Sequence, residues 1–131
     1  MIRSRNVDPT AEFAQHIIPI TVNVPASQAA VAYGAAIIPW AHKLLSAKFQ
    51  ALVVTDADDT VRIDLHRAGA SILGATVDPV AADTTTTLTV TGDDDGAANA
   101  VYELVATTGV GDVLVGTLVL VVRPLLGRED L

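Results

Sequence analysis

The chain has 131 residues, half of them apolar, and a net charge of −7 from eight Lys and Arg against fifteen Asp and Glu. This length and apolar content predict one folded domain and exclude disorder over most of the chain. The acidic balance argues against nucleic acid as a partner, because phosphate binding needs clustered Lys and Arg. With no cysteine in the chain, disulfides and thiolate chemistry are excluded.

Residues 1–15 lack the alternation of a strand, and we expect them to form an extended N-terminal arm. Arg3 and Arg5 are the only basic cluster of the chain, and Phe13 is an apolar group that such an arm would bury on docking. The two arginines are typical either of an ordinary charged tail or of a docking arm for an acidic partner. No stretch reads as a signal peptide or as an apolar span of about 20 residues, so no membrane partner is expected.

Alternating apolar and polar residues predict strands along most of the remaining chain. The predicted strands are residues 17–24, 44–55, 61–66, 84–91, 101–107 and 113–122. Residues 84–91 include four consecutive threonines, whose branched side chains suit a pleated sheet. Residues 26–36 are rich in alanine, and a short helix is the alternative there. Residues 113–122 are apolar on both faces, which suits a strand covered by the core on one side and by a partner chain on the other.

Gly, Asp and Pro lie between these segments and mark turns. The predicted turns are residues 56–59, 67–70, 78–79, 92–96 and 109–112. Counting the shorter runs between these segments as well gives about eight strands, which is typical of a sandwich or small barrel. We therefore predict an all-β fold over residues 16–124, with the N-terminal arm before it and a C-terminal tail over residues 125–131.

The residues that usually carry chemistry are not arranged for it in this sequence. His16, His42 and His66 lie more than twenty residues apart in the chain, unlike metal-ligand motifs, and no serine lies in a nucleophile elbow. The aspartates of residues 56–59 and 93–95 could offer oxygen ligands to calcium, but neither group has the spacing of an EF-hand loop. We read both as solvated turns, and we expect no enzymatic activity, no catalytic residue, no cofactor and no metal site.

Trp40 is the single tryptophan, and it ends an apolar run directly after Pro39. A lone tryptophan is more often an anchor in a core or an interface than a platform for a ligand. We interpret Trp40 as an anchor of this kind.

Two segments carry a resemblance to a known family. Residues 35–40 read AAIIPW, an apolar run followed by a proline and an aromatic, and residues 61–74 read VRIDLHRAGASILG. The matching positions in the second segment are Asp64, Arg67, Gly69, Ser71, Ile72 and Leu73. Over about residues 17–123 the chain resembles small jelly-roll β-domains of tailed-bacteriophage virions, in which Asn-Gly often stands where Ala68-Gly69 stands here.

This resemblance implies a non-enzymatic structural protein of the virion. It points to a capsid decoration, or cement, protein on the capsid surface, a homotrimer that binds across major capsid protein subunits and stabilises the head. The fold would be a jelly-roll-like antiparallel sandwich of about eight strands. Arg3, Arg5 and Phe13 would then dock the arm on the capsid. Trp40, Val119 and Val121 would lie in a trimer or capsid interface. The alternative is a head-fibre or tail-appendage module that binds a host receptor or a glycan, which would need an exposed aromatic or acidic pocket.

Overall fold

The structure is a computed structural model, and it describes residues 15–56, 59–79 and 81–125. These residues form nine strands and no helix: β1 (His16–Val24), β2 (Val31–Ile38), β3 (His42–Thr55), β4 (Arg62–Arg67), β5 (Ala70–Ser71), β6 (Thr85–Thr87), β7 (Asp95–Gly96), β8 (Ala100–Thr107) and β9 (Val113–Pro124). The all-β prediction is confirmed. The predicted N-terminal arm up to residue 14, and residues 126–131 of the predicted tail, lie outside the described residues.

The strands form two antiparallel sheets. One has the order β1-β9-β3-β6, with β7 also paired to β3, and the other has the order β2-β8-β4-β5. Strands β1, β2, β3 and β4 pair with β9, β8, β6 and β5 respectively, so the first half of the chain runs back along the second half as an antiparallel ribbon. Two antiparallel sheets with the core between them form a β-sandwich, one of the two architectures that the strand pattern predicted.

Alternation along the strands places the core between the two sheets. In β9 every second residue from Leu114 to Val122 is buried, and in β8 the buried positions are Tyr102, Leu104 and Ala106. Burying a large apolar side chain stabilises the fold by about 1.5–3 kcal/mol, so these alternating rows are the main source of stability.

Gly116 allows β9 to pass close beside β3 at the centre of the larger sheet. A Cβ atom at this position would lie 2.4 Å from the carbonyl oxygen of Gln50 and 2.6 Å from Cζ of Phe49. The fully buried Phe49 ring therefore occupies the space that a side chain at position 116 would need.

The alanine-rich segment over residues 26–36 does not form the short helix considered as its alternative. Its second half belongs to strand β2, and Gly34 adopts a left-handed conformation with φ 78° at a bulge in that strand. Before the strand, Gln28 and Thr108 exchange two backbone hydrogen bonds of 3.1 and 2.9 Å. Pairing with β8 thus overrides the helical preference of alanine, because tertiary contacts outweigh local propensity.

The threonine-rich segment forms a shorter strand than the sequence predicts. Only Thr85–Thr87 pairs with β3, where Lys48, Phe49 and Gln50 are its partners. The backbone N–H of Leu88 still donates a hydrogen bond of 2.9 Å to the carbonyl oxygen of Ala47 in β3, and its side chain enters the core with 2% of its surface exposed. Further along the predicted strand, the backbone N–H of Thr91 donates instead to the carbonyl oxygen of Ile72, at 2.8 Å.

A buried polar network closes one end of the core. His42 is fully buried, with Nδ1 at 2.8 Å from the carbonyl oxygen of Trp40 and Nε2 at 2.7 Å from the hydroxyl oxygen of Tyr102. A carbonyl oxygen only accepts hydrogen bonds, so Nδ1 donates its proton to Trp40 and the Tyr102 hydroxyl donates to Nε2. Gly96 lies against this pair, since a Cβ there would lie 2.2 Å from Nε2 of His42.

Substituting Tyr102→Phe tests this network. At pH 8 we expect the free energy of unfolding to fall by about 1–3 kcal/mol, because Nε2 of His42 loses its buried donor. The matched control is Tyr33→Phe, whose hydroxyl bonds Gln28 in a partly buried position, and we expect a smaller loss there. Urea unfolding monitored by circular dichroism measures both, and equal losses in the two variants would contradict the assignment.

The network also predicts a dependence on alkaline pH. Burial raises the pKa of Tyr102 above its ordinary value of 10.0, while the nearby Arg67 acts in the opposite direction. A raised pKa means that the folded state favours the neutral phenol, so this stability is complete below pH 10 and is lost as the pH rises through the folded-state pKa. The urea midpoint of the wild-type protein should therefore fall more steeply above pH 10 than that of Tyr102→Phe. If the urea midpoints of the two proteins fell equally steeply above pH 10, this prediction would be wrong.

Candidate functional site

The outward side of the five-stranded sheet carries two of the residues predicted to form an interface. Strand β9 lies between β1 and β3, so its outward side chains line the middle of that side of the molecule. Val119 and Val121 are both outward and only half-buried. Val119 pairs with Pro19, and Val121 pairs with Ile17. Apolar side chains therefore continue from the central strand onto the edge strand β1.

The apolar residues at outward positions of these three strands form two clusters on one side of the sheet, which together we call the outer apolar face. Its members are Ile17, Pro19, Val119 and Val121 in the first cluster and Val53, Val113 and Val115 in the second. On β3, Lys48 and Ser46 pair with Val119 and Val121 and form the polar border of the first cluster. A row of Thr21, Thr117 and Gln50 crosses the middle of the sheet. Ile17 is 69% exposed and Val53 is 41% exposed. Single exposed apolar residues are ordinary, but a contiguous group of them is typical of an interaction surface.

Strand β3 adds exposed leucines that the sequence interpretation missed. Its pairing with β9 shifts register between Leu44 and Ser46 and again between Ala51 and Val53, leaving Leu45 and Leu52 as the extra residues. Both side chains are exposed, Leu52 at 61%. A signal was present in the sequence, because consecutive apolar residues at these points break the alternation of the predicted strand.

Trp40 lies apart from the two valines with which it was predicted to act. Its ring centroid is 5.0 Å from that of His16 and 6.4 Å from that of His42, at the end of the sandwich where β1 begins. With His16, Pro124 and Leu125 it lines a cavity of about 270 Å³. Trp40 thus packs against the end of the core. Its interface role stays a prediction, and Arg3, Arg5 and Phe13 lie outside the described residues.

The described residues include two groups of three aspartates, and within each group the carboxylate oxygens lie within 4.8 Å of one another. They are Asp56, Asp59 and Asp78, and Asp93, Asp94 and Asp95. Each group faces a cation of the same chain. Arg62 lies 3.4 Å from Asp59 and 3.8 Å from Asp78, and Lys43 lies 3.1 Å from Asp94. Part of the negative charge that would attract a metal ion is therefore already compensated. Asp58, a calcium candidate from the sequence, lies outside the described residues.

The outward side of the four-stranded sheet contains a cavity of about 310 Å³, which we call the β4–β8 hollow. It is lined by Ala30, Ala32, Arg62, Asp64, His66, Gly69, Thr76, Glu103, Val105 and Thr107. Nε2 of His66 lies 3.1 Å from a carboxylate oxygen of Asp64. Alternation in the sequence placed His66 on the polar side of its strand, but it could not show that residues of β2 and β8 surround the ring.

Comparisons with known proteins identify no relative. No family model, no curated protein and no solved structure matches this chain. Within residues 15–56, 59–79 and 81–125 there is no helix with the length and hydrophobicity needed to cross a bilayer.

The two groups of aspartates lead to a prediction about calcium. Both groups are exposed or partly exposed and already face Lys43 or Arg62. We therefore expect no calcium binding that raises the melting temperature of the protein. A ligand that binds only the native state raises its melting temperature, so the midpoint in millimolar calcium should equal the midpoint in chelator. A rise of several degrees that disappears in Asp94→Ala would contradict this reading.

Proposed function

We propose that this protein is a non-enzymatic structural protein of a virion. In this proposal it is a capsid decoration protein that binds as a homotrimer across neighbouring major capsid protein subunits and stabilises the head. The observation that carries the proposal is the outer apolar face, which includes Ile17 at 69% exposure beside the half-buried Val121. A surface of this kind is suited to binding another protein, because binding removes its apolar side chains from water.

Burial of area is also the mechanism that the proposal requires. A stable protein interface buries about 800 Å² on each partner, and each large apolar side chain that becomes buried contributes about 1.5–3 kcal/mol. Strand β9 is held on both sides by β1 and β3, so the valines at its outward positions are presented on a rigid support. Such a surface could join protomers without a large cost in conformational entropy.

The segment that carries the family resemblance has structural roles in this fold, which agrees with a structural protein. Ser71 donates a hydrogen bond of 2.8 Å to Asp64, and Arg67 donates one of 2.9 Å to the carbonyl oxygen of Asp93. Ala68 and Gly69 both have positive φ, 53° and 83°, as a tight two-residue hairpin between β4 and β5 requires. Gly69 therefore supplies the turn for which the family often uses Asn-Gly.

A second candidate function is a head-fibre or tail-appendage module that binds a host receptor or glycan. The β4–β8 hollow favours it, because Asp64 and Glu103 make this an exposed pocket with two carboxylates. The hollow and the outer apolar face belong to different sheets, so the two functions do not compete for one surface.

The proposal predicts that the isolated protein is a trimer held by the outer apolar face. Ile17→Asp should raise the dissociation constant of the trimer by at least about tenfold, because it places a charge where an apolar side chain becomes buried. Ile37→Asp is the matched control, since Ile37 is 64% exposed on the other sheet. Sedimentation equilibrium should show a trimer for wild type and Ile37→Asp and a monomer for Ile17→Asp. A wild-type monomer at micromolar concentration would contradict the prediction.

The virion itself provides the test of location. Particles purified from cells that encode this chain, with the gene intact and with the gene deleted, are compared by electron microscopy and by gel. We expect extra density on the outside of the shell, and a band of this chain, only when the gene is intact. Particles that never contain the chain would overturn the proposal.

The predicted docking arm has its own test on the same particles. Deleting residues 1–15 should leave the circular dichroism spectrum and the melting temperature of the sandwich unchanged and should weaken capsid occupancy. Docking would be stabilised by charge-assisted hydrogen bonds from Arg3 and Arg5 and by burial of Phe13. Equal occupancy of the shell by the full and shortened chains would contradict a docking role for the arm.

A further inference from the structure

The hollow on the outward side of the four-stranded sheet is low along the edge strand β2, where small residues lie, and is bounded on the other side by longer side chains. Ala32 of β2, Val105 of β8 and Asp64 of β4 are neighbours across three strands, and Ala30 lies beside Thr107. The two alanines therefore form a low side of the hollow, opposite the longer polar side chains of β4. Its volume of about 310 Å³ lies at the lower end of the range for small-molecule sites, about 300–1,000 Å³.

Asp64 is held in one position inside this hollow. Its side chain is only 12% exposed although it lies on the outward side of a sheet. One carboxylate oxygen accepts hydrogen bonds of 2.8 Å from the backbone N–H of Leu65 and from the hydroxyl of Ser71. The other lies 3.1 Å from Nε2 of His66 and can only accept, so Nε2 donates. In the neutral ring this leaves Nδ1 of His66 as an acceptor.

Glu103 contributes a second acceptor, which no other described residue uses. It pairs with His66 between β8 and β4, and both line the hollow. In the described part of the chain the half-buried carboxylate of Glu103 has no hydrogen-bond or ion-pair partner. A half-buried carboxylate without a partner loses part of its hydration, so a ligand that donates hydrogen bonds would be favoured beside it.

Donors line the same hollow. Oγ1 of Thr107 accepts a hydrogen bond of 3.2 Å from the backbone N–H of Ala30, which leaves the hydroxyl proton of Thr107 to donate. Thr76 adds another hydroxyl, and Arg62 adds a guanidinium. Donors and acceptors therefore surround a floor formed by Val105 and Ala32.

We propose that the β4–β8 hollow binds a neutral saccharide of one or two pyranose rings. Each sugar hydroxyl both donates and accepts hydrogen bonds, as this mixed lining requires, and the C–H face of a ring can pack on Val105 and Ala32. An anionic ligand would meet the carboxylates of Asp64 and Glu103 in a chain of net charge −7, and a simple cation would leave the hydroxyl donors unused. The proposal gives the second candidate function a site and does not depend on attachment to a capsid.

The test uses the full chain and saturation-transfer NMR with named probes. These are methyl α-glucopyranoside, methyl β-galactopyranoside, maltose and lactose, with N-acetylneuraminic acid as the charged comparison. We expect saturable binding of at least one neutral probe at millimolar concentration. Glu103→Gln keeps the size of the side chain but removes the charged acceptor, and it should weaken that binding by about tenfold.

A second variant fills the hollow without removing any polar group. Ala32 is exposed, so Ala32→Tyr should leave the core intact while its ring occupies the space of the sugar and abolishes binding. Thr85→Tyr is the matched control, because it places the same ring on an exposed strand position of the other sheet, and it should bind like wild type. The melting temperature shows whether each variant is folded. If Ala32→Tyr does not fold, the result for Glu103→Gln decides the test.

Three results would overturn the proposal: no neutral probe binds, Glu103→Gln binds as tightly as wild type, or N-acetylneuraminic acid is the preferred ligand. The oligomeric state and particle occupancy of Glu103→Gln are measured in parallel. Because Glu103 lies on the sheet opposite the outer apolar face, failure of the saccharide site leaves those two properties unchanged. Failure of the capsid proposal likewise leaves saccharide binding unchanged.

Discussion

The fold depends on the position of β9 between β1 and β3. This strand is the last in the described chain, yet it pairs from Leu114 to Val122 with the first strand on one side and from Val113 to Pro124 with the longest strand on the other. Its inward residues from Leu114 to Val122 supply one wall of the core, and Gly116 makes room for the ring of Phe49. The five-stranded sheet therefore cannot form until the two ends of the chain have met. Long-range pairing of this kind requires loop closure before the contacts stabilise the fold.

The same strand links the fold to the proposed function. Since alternation sends Leu114, Leu118 and Leu120 inward, it sends Val115, Val119 and Val121 outward, where they are half-buried among the described residues. The strand is apolar on both sides: its inward leucines belong to the core, and its outward valines belong to the outer apolar face. The other sheet has a different outward side, in which alanines of β2 leave a hollow and β4 and β8 place polar groups around it. One sandwich thus presents a surface suited to assembly and a cavity suited to a small polar ligand.

The sequence predicted those parts of the fold that depend on local alternation. Strand β4 was recognisable from its unbroken alternation, and β9 from a long run of Val and Leu that begins directly after a turn. The acidic turns were recognisable from their Asp and Gly residues. Strand β2 was not, because alanine has little strand preference and this segment is a strand only through pairing with β8. The bulges at Leu45 and Leu52 left a signal in the sequence, because consecutive apolar residues break the alternation there. The packing of Trp40 against His16 depends on contacts between distant segments, which the pattern of a single segment does not show. The hollow was missed for the same reason, since Ala32, Glu103 and His66 come from three strands.

The central claim is that Val119 and Val121 are covered by other copies of the chain in the assembled protein. Methyl NMR with a soluble nitroxide tests it most directly, because the nitroxide attenuates only those methyl signals that solvent can reach. At concentrations where the protein is assembled, the methyl signals of Val119 and Val121 should be protected while those of the exposed Ile37 are attenuated, and dilution to monomer should remove the protection. Attenuation of Val119 and Val121 equal to that of Ile37 at every concentration would contradict the account.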